Sequence, residues 1–389
     1  MIHIFINALA ASAGGGLTYI RNVVPRLATR GDVRATVLLS AGLRDELTES
    51  DQVRLLRAES PSSAAARFWY EQIEVPRMIR NSGAEVLLST GNFAVFRSPV
   101  PQILLSRNAL YTSSDFLRDL RDRGEYRMWL DTLIKGELAR WSVGAATCTV
   151  APSAAFARDL QHWTGCPVIA IHHGFSPDTF FARNSPLRPS AQSQLAAAQG
   201  ALRLLFVSHY NYYRNFETLL RALAILKQRI RGRGVRLILT SSLTAEENHS
   251  GYNSRSAAAL IQELGLREEV VELGAVPYSQ LHHLYRACDL YVTPAYAETF
   301  AHPLVEAMAS GLPVIASDLP VHREICRDAA LYFFRFSAEE LAERILKAAS
   351  ATDQLQSMKE KGLLRARDFN WDRHIDDLLQ LASRIAAST

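Results

Sequence analysis

The feature that most constrains the fold is an alternation of short apolar strands with helical segments that runs along the chain, stops, and starts again. In the first half, IHIFIN (2–7) and PQILLS (101–106) read as strands separated by helices, and LRLLFVS (202–208) and LPVIASD (312–318) do so in the second half. Such alternation is typical of parallel sheets with crossover helices. The restart predicts two doubly wound α/β domains.

The length of the chain agrees with two domains, because a single core rarely grows beyond about 250–300 residues and this chain has 389. Between the two series lies a segment rich in Ser, Pro, Ala and Gln, 182–200, which we interpret as a linker. We therefore predict an N-terminal domain over 1–181 and a C-terminal domain over 200–368.

Composition excludes several classes of protein. With 48% hydrophobic and 21% charged residues the chain is typical of a globular protein, and no apolar run approaches the roughly 20 residues of a membrane span. The first residues read as a buried strand rather than a signal peptide, so we expect a cytoplasmic protein. A net charge of +4 is far from that of a nucleic-acid binder. Four scattered cysteines argue against disulfides and structural zinc.

Two segments allow an interaction surface but favour a plainer interpretation. The stretch 115–140 carries six basic and six acidic residues, which is typical of a solvated helix face. The aromatic and basic residues of 66–80 would suit contact with a membrane, yet Phe68, Trp69 and Ile73 stand at helical spacing. That spacing favours a place in the core for these three side chains.

The pair Glu298 and Glu306 points to a binding site. Glu298 follows the strand DLYVTPA (289–295), and Pro303 suits the first turn of a helix that contains Glu306. The N–H groups of the intervening turn and the helix N-terminus can hold a phosphate, and the two carboxylates can accept hydrogen bonds from hydroxyl groups on either side of it. The alternative is that Glu306 only interacts with the helix dipole and that Glu298 is solvated.

The segment 273–318, from LGAV through ETFAHPLVEAMASGLPVIASD, resembles the C-terminal signature of the family 4 retaining glycosyltransferases. The resemblance implies the GT-B fold, in which two Rossmann-like doubly wound parallel-sheet domains face each other across a cleft. It implies that Glu306 binds the donor ribose and that Glu298 lies beside the donor sugar at the reacting centre. It also implies donor contacts from the backbone around the turn and from the loop 273–277, at Val276, Thr299, Phe300, Ala301, His302 and Leu304.

A second match is HYNYYRNFETLL, where Arg214-Asn215 stands in the place of the family's Lys-Asn pair. The resemblance implies that Arg214 acts on the diphosphate and that Asn215 and Ser208 border the donor. The family often has a further arginine upstream, and here the chain reads Ser208-His209. A solvated arginine at a helix start is the alternative for Arg214.

The matches in the first half are weaker. SAGGGLTYI resembles the family's glycine-rich loop, which implies that Gly15 and Gly16 approach the donor diphosphate, although a glycine-rich turn before a helix is common. Many members carry a His-Asp pair where this chain has Arg107-Asn108. Arg107 could stabilise charge on the leaving phosphate, or it could be a buried structural arginine. The closing segment, 369–389, resembles the family's last helix, which crosses back to the N-terminal domain.

With these observations, the resemblance implies a retaining transferase, and we expect it to move a hexose-type sugar from a UDP- or GDP-sugar to a saccharide or lipid-linked saccharide acceptor, in cell-envelope polysaccharide synthesis. We expect no cofactor and no metal, because no Asp-x-Asp triplet occurs. We expect no nucleic-acid partner, and we include peripheral contact with the inner face of the cell membrane among the expectations. The alternatives are a GT-B epimerase or phosphorylase and a non-catalytic nucleotide-sugar-binding protein.

Overall fold

The computed structural model describes residues 1–11, 14–40, 43, 46–58, 63–182, 185–243 and 251–388. The chain divides into two compact units. The first unit comprises Met1–Ser113, Leu120–Gly174 and Asn370–Thr389, and the second comprises Ser114–Asp119 and Phe175–Phe369.

The first unit is built on a seven-stranded sheet in the order β3-β2-β1-β4-β5-β6-β7, in which every pairing is parallel. The strands are β1 Ile2–Asn7, β2 Val33–Ser40, β3 Val53–Ala58, β4 Val86–Ser89, β5 Gln102–Leu105, β6 Cys148–Ala151 and β7 Val168–Ala170. The order reverses direction between β1 and β4, as in doubly wound nucleotide-binding sheets.

The second unit is built on a six-stranded parallel sheet in the order β10-β9-β8-β11-β12-β13. The strands are β8 Leu202–Phe206, β9 Val235–Leu239, β10 Val270–Glu272, β11 Leu290–Thr293, β12 Val314–Ser317 and β13 Ala330–Phe333. Here the order reverses direction between β8 and β11. The predicted pair of doubly wound parallel sheets is confirmed.

Helices connect the strands. They are α1 Gly14–Leu27, α2 Ala64–Ser82, α3 Ser114–Asp122, α4 Tyr126–Ala145, α5 Ala154–Thr164, α6 Pro177–Phe180, α7 Pro189–Ala197, α8 Phe216–Arg229, α9 Arg255–Glu263, α10 Tyr278–Ala287, α11 His302–Ala309, α12 Pro320–Cys326, α13 Ala338–Ser350, α14 Thr352–Ala366 and α15 Trp371–Ala387. Local chemistry sets their ends: Ser63 caps α2 by accepting from the Ala66 N–H, and Gly83 ends it with a φ of 70°.

The central strand of the first unit shows why a parallel sheet is apolar on both faces. Ile4 and Ile6 of β1 belong to one buried cluster, which α1 and α15 cover, while Phe5 between them belongs to a second cluster under α2. Successive side chains of a strand point to opposite faces, so both faces need a helical layer.

Two expectations about segments between the strands are wrong. The predicted linker 182–200 contains the helix α7, whose Ala191 and Leu195 are buried in the second unit. The helix has only two buried residues, so the sequence shows no clear apolar periodicity that would predict it. The unit borders also differ from the predicted ones: the second unit begins at Phe175, and it takes in Ser114–Asp119 as well.

The expectation for the aromatic segment is wrong for two of its three residues. Trp69 is 64% exposed and Ile73 is 51% exposed, and only Phe68 of the three is largely covered. Helical spacing shows that side chains share a face, but it does not show which face packs on the sheet. Among the described residues, no helix is long and apolar enough to cross a membrane.

Gly174 tests the packing of α15 in the first unit. A Cβ at this position would lie 2.5 Å from the Cα of Trp371 and closer still to its backbone nitrogen. Because backbone atoms cannot move aside as a flexible side chain can, Gly174→Ala should lower the free energy of unfolding by about 3 kcal/mol. Denaturant unfolding measures this.

Gly144 is the matched control. It lies near the end of α4, and a Cβ there would meet no atom within 4 Å. Gly144→Ala should be neutral or should stabilise the protein by up to about 1 kcal/mol. Equal effects of the two substitutions would contradict the packing described for Trp371.

Candidate functional site

The candidate site of the second unit lies where its sheet order reverses. β8 and β11 are hydrogen-bonded neighbours, yet each is followed in the chain by a strand on its other side. The loops after these two strands leave from the carboxyl edge of the sheet, which is where doubly wound sheets hold ligands. One loop carries Arg214 and the other carries Glu298.

The structure brings Arg214 and Glu298 together as an ion pair. The Nη1 of Arg214 donates to the Oε2 of Glu298 at 2.5 Å, and the side chains are 22% and 11% exposed. Burial alone would raise the pKa of Glu298, but the Arg214 guanidinium and the Thr299 N–H outweigh it and lower that pKa to about 2. The pair therefore consists of a full carboxylate and a full cation at neutral pH.

The position of Arg214 is fixed by its neighbours. It ends the 3₁₀ turn Tyr212–Arg214, and Asn215 follows in the left-handed region at a φ of 57°. The Nδ2 of Asn215 donates to the carbonyl oxygens of Pro294 at 3.2 Å and Arg335 at 2.7 Å. The predicted donor-binding residue Asn215 thus locks the turn that presents Arg214, and its contact with a donor stays a prediction.

The turn between the two glutamates begins α11. Ala301 has a φ of 64° and precedes the helix directly. Two of the backbone N–H groups predicted to hold a diphosphate donate hydrogen bonds within the turn. The Thr299 N–H donates to the Oε1 of Glu298, and the Leu304 N–H donates to the carbonyl oxygen of Ala301. Phe300 is buried, and its backbone contact with a diphosphate stays a prediction.

Glu306 lies inside the second unit, one turn into α11. It is 5% exposed, and its Oε2 accepts from the Tyr285 hydroxyl at 2.8 Å. Burial raises the pKa of Glu306 to about 7, and the Tyr285 hydrogen bond opposes this only in part. The apolar flanks of this glutamate in the sequence therefore reflect a truly buried carboxyl group with a tyrosine partner.

The remaining predicted donor-binding residues of this unit lie in loops. Ser208 follows β8, and its backbone N–H donates to the Oγ1 of Thr240 at 3.0 Å. Val276 lies between β10 and α10 and is partly buried. His302 is the first residue of α11, and its ring lies 4.8 Å from that of Phe300.

The start of α3 supports the Arg214 loop, which sequence reasoning missed. Asp115 binds Arg335, with its Oδ2 2.9 Å from the guanidinium Nε, and Asp119 accepts from the Tyr296 hydroxyl at 2.6 Å. The ring of the buried Phe116 lies 6.1 Å from that of Tyr213. The expectation of a solvated charged face over 115–140 is therefore wrong for Asp115 and Asp119, because their partners are far away in sequence.

A buried serine and histidine hold the other loop. The Oγ of Ser317 donates to the carbonyl of Ala295 at 2.5 Å and lies 3.0 Å from the Nδ1 of His322. Burial lowers the pKa of His322 to about 4, which leaves the ring neutral. No motif in the sequence marked these two residues.

In the first unit the structure brings Arg107 to Gly15 and Gly16, which lie in the first turn of α1 and not in a loop as the sequence suggested. Its Nη1 donates to the carbonyl of Gly15 at 3.1 Å and its Nη2 to that of Thr90 at 2.5 Å. A Cβ on Gly16 would lie 3.3 Å from the Cα of Ala11 and 3.4 Å from the Arg107 Nη2, so a side chain here would fit only if these neighbours moved by a few tenths of an ångström. Burial lowers the pKa of Arg107 to about 10, and the group stays charged at neutral pH.

Tyr19 and His374 complete this cluster, and sequence reasoning missed them. The Arg107 guanidinium lies 5.2 Å from the Tyr19 ring centroid. His374 Nδ1 faces the carbonyl of His172 at 2.8 Å, so it donates, and Nε2 accepts from the Tyr19 hydroxyl at 3.1 Å. Burial lowers the pKa of His374 to about 4, in agreement with this neutral tautomer. Among the described residues, no group of three acidic, histidine or cysteine side chains could hold a metal ion.

The family of the second unit follows from comparison with known proteins. Residues 188–365 match the model of the family Glycosyl transferases group 1. That range contains Arg214, Glu298 and Glu306 with their supporting loops. The resemblance found in the second half of the sequence is therefore confirmed at the level of the glycosyl transferases group 1.

Curated relatives match part of the chain. It is 30% identical over 198 residues to a D-inositol 3-phosphate glycosyltransferase of Nocardia farcinica, which covers 50% of this chain and 43% of the relative. It is 32% identical over 126 residues to the O-antigen chain mannosyltransferase B of Escherichia coli, which covers 32% and 33%. The chain thus spans about half or less of the length of these relatives.

Solved structures share the fold over the whole chain. The sucrose-phosphate synthase of Thermosynechococcus elongatus has a TM-score of 0.78 at 18% identity and covers 100% of both chains. Anabaena HepE in complex with UDP-glucose has a TM-score of 0.74 at 17% identity and covers 99% of this chain and 100% of that one. At such identities the likeness shows the fold alone, and that fold is GT-B.

Glu306 should make stability depend on pH. The folded protein keeps the Glu306 proton up to about pH 7, whereas the unfolded chain releases it near the ordinary value of 4.5, so the free energy of unfolding falls as pH rises between the two. Glu306→Gln removes this loss. The difference in free energy of unfolding between the variant and wild type should therefore shift in favour of the variant by about 2–3 kcal/mol as pH rises from about 4.5 to 8. Denaturant unfolding at several pH values measures this.

The exposed Glu343 of α13 gives the control for the chemical change, because Glu343→Gln makes the same substitution on the surface and should change the free energy of unfolding at pH 7 by about 0.5 kcal/mol or less. An unfolding difference between Glu306→Gln and wild type that stays constant with pH would show that Glu306 is ionised like an ordinary surface glutamate.

Arg214→Leu should leave the Glu298 carboxylate without its cation. We expect a loss of about 2 kcal/mol or more at pH 7, and a smaller loss near pH 4.5 because the unpaired carboxyl group then takes up a proton. Adding Glu298→Gln to Arg214→Leu should recover part of the stability at pH 7. Losses of the same size at both pH values would argue against the ion pair.

Proposed function

We propose that the protein is a retaining glycosyltransferase that moves a hexose-type sugar from a nucleoside diphosphate sugar to a saccharide or lipid-linked saccharide acceptor. The observation that carries the proposal is the Arg214–Glu298 pair at the switch point of a glycosyl transferases group 1 domain, beside the N-terminus of α11. A cation and a helix N-terminus at a strand edge suit a diphosphate.

The two glutamates are proposed to bind different parts of the donor. Glu298 is ionised and adjoins Arg214, which suits a hydroxyl of the donor sugar next to its phosphate. Glu306 lies deeper in the second unit, where one oxygen of its carboxyl group accepts from Tyr285. We propose that this carboxyl group also binds the ribose hydroxyls. The loop with Val276 is proposed to border the base, and Ser208 and the backbone of Phe300, Ala301 and His302 to border the phosphates.

The transfer is proposed to proceed on one face of the sugar. The bond from the anomeric carbon to the phosphate oxygen breaks, the bond to the acceptor oxygen forms, and the acceptor proton passes to the leaving nucleoside diphosphate. The negative charge that builds on that leaving group is the charge that Arg214 would stabilise. Because the sequence lacks an Asp-x-Asp triplet, we propose that arginine and backbone N–H groups neutralise it without a metal.

Arg107, Gly15 and Gly16 are proposed to serve the reaction from the first unit. Arg107 contacts these glycines in the first turn of α1, which follows β1 at the carboxyl edge of that sheet. A charged guanidinium held by backbone carbonyls is pre-organised toward an anion or a polar acceptor, because its orientation requires no further ordering.

The relatives support the donor and the setting. HepE binds UDP-glucose, and two of the relatives are named as acting on D-inositol 3-phosphate and in O-antigen chain mannosyl transfer. We propose a UDP- or GDP-sugar donor on this basis, and synthesis of a cell-envelope polysaccharide at the inner face of the membrane. An epimerase or phosphorylase would instead convert the donor without an acceptor, and a binding protein would hold the donor unchanged.

Calorimetric titration of UDP, GDP, TDP, ADP and CMP tests the donor site. One diphosphate should bind selectively, and Glu306→Ala should weaken its binding by roughly 10- to 150-fold because the hydrogen-bond partner proposed for the ribose is lost. Glu343→Ala, on the exposed side of α13, should bind like wild type.

Selective binding with a weakened Glu306→Ala variant supports the donor site, and equal binding by variant and wild type would show that this glutamate is structural. Incubation of the matching nucleotide sugar with and without saccharide acceptors then separates the activities. Transfer or slow hydrolysis supports the transferase, whereas isomerised donor or phosphate-dependent release supports the other enzyme classes.

A further inference from the structure

Two helices of the first unit, α2 and α4, lie on the same face of its sheet. α2 connects β3 to β4 and α4 connects β5 to β6, and both connections run in the same direction across the sheet. Because crossovers between parallel strands are right-handed, both helices lie on the same face. Aromatic contacts link them: the Phe93 ring lies 6.1 Å from Phe68 of α2 and 6.4 Å from Tyr111, which adjoins Gly136 of α4.

The outer side of α4 is apolar, while its inner side is small and polar. Thr132, Gly136, Ala139, Ser142 and Val143 are its buried residues. Its exposed residues include Tyr126, Leu130, Ile134 and Trp141, which follow one another on one side of the helix, and Trp141 is 66% exposed. A surface helix normally directs its large apolar side chains inward, so this arrangement needs a reason.

The outer side of α2 continues this surface. Trp69 and Ile73 are exposed, and Arg77 and Arg80 follow at helical spacing on the same side. With Phe96 in the loop beside α2, seven of the thirteen exposed large hydrophobic side chains of the described residues belong to these elements. We call this surface, defined by Trp69, Ile73, Phe96, Tyr126, Leu130, Ile134 and Trp141, the α2–α4 apolar face.

The charges around the α2–α4 apolar face are biased toward positive. Its acidic side chains are neutralised on their own helices, by the pairs Glu74–Arg77 at 2.7 Å, Asp131–Lys135 at 2.6 Å and Glu137–Arg140 at 4.0 Å. Arg80, Arg97 and Arg127 add exposed positive charge among the apolar residues. The face therefore combines aliphatic and aromatic side chains with an excess of arginine.

We propose that the α2–α4 apolar face binds the surface of an anionic lipid bilayer. Trp and Tyr prefer the boundary between headgroups and acyl chains, Leu and Ile enter the acyl region, and arginine stems extend along apolar surface while their guanidinium groups reach lipid phosphates. A second copy of the chain suits the face less well, because a two-fold interface would place the arginines of both copies against each other.

The test is flotation of the full chain with vesicles, without donor or acceptor, so that its outcome is independent of the proposed transferase activity. Vesicles of phosphatidylcholine with about 30% phosphatidylglycerol should carry the protein upward, and vesicles of phosphatidylcholine alone should carry much less of it. Absence of the protein from the anionic vesicles would overturn the proposal.

Ile134→Gln combined with Trp141→Gln should lower the partition into anionic vesicles by roughly tenfold or more, because both side chains are exposed and apolar. Leu364→Gln is the matched control: this side chain is also exposed, but it lies on α14 of the second unit, and its partition should equal that of wild type. Unchanged melting temperatures of both variants would show that they fold.

Light scattering on a size-exclusion column measures the oligomeric state and so tests whether a second copy of the chain, and not a bilayer, covers the face. A dimer of the wild-type chain that the double variant abolishes, together with no vesicle binding, would assign the face to a second copy and overturn the lipid proposal. Equal vesicle binding by the double variant and wild type would overturn it as well, whereas loss of vesicle binding by the double variant alone supports it.

Discussion

The ion pair between Arg214 and Glu298 is the interaction around which the second unit is arranged. Two oppositely charged side chains with little solvent exposure are stable only if the backbone holds both at close range. Asn215 holds the Arg214 loop in place by donating to two carbonyl oxygens from a left-handed turn. Ser317 holds the Glu298 loop in place by donating to the carbonyl oxygen of Ala295. Arg335, held by Asp115, provides one of the carbonyls that Asn215 binds. The loops after β8 and β11 thus hold each other in place through backbone groups.

The same unit keeps two glutamates in opposite protonation regimes. Glu298 has a depressed pKa because a guanidinium contacts it, and Glu306 has an elevated pKa because burial leaves it with only a tyrosine hydroxyl as partner. Two carboxyl groups whose environments separate their pKa values can perform different tasks in one site. A permanent carboxylate can only accept hydrogen bonds, as from hydroxyl groups, whereas a carboxyl group that titrates near pH 7 can either donate to a hydroxyl group or accept from it.

Much of the fold and part of the site could be predicted from the sequence. The strand and helix alternation identified both parallel sheets, and the signature around Glu298 and Glu306 identified the domain family. The burial of Glu306 could be expected from its apolar neighbours. The support by Asp115 and the exposure of Trp69 could not, because each depends on which side of a helix meets the rest of the protein. A segment of mixed charge, such as the one around Asp115, looks solvated until its distant partner is known.

The sequence by itself determined the period of the secondary structure, the two doubly wound sheets and the local turns that begin at a strand end. These are consequences of side-chain spacing and backbone preference within a few residues. Only the tertiary structure decided which charges are paired and which apolar side chains remain outside. Arg214 is 84 residues from Glu298, and Asp115 is 220 residues from Arg335. No local pattern encodes such partners, because the strand order of the sheet and not the chain brings them together.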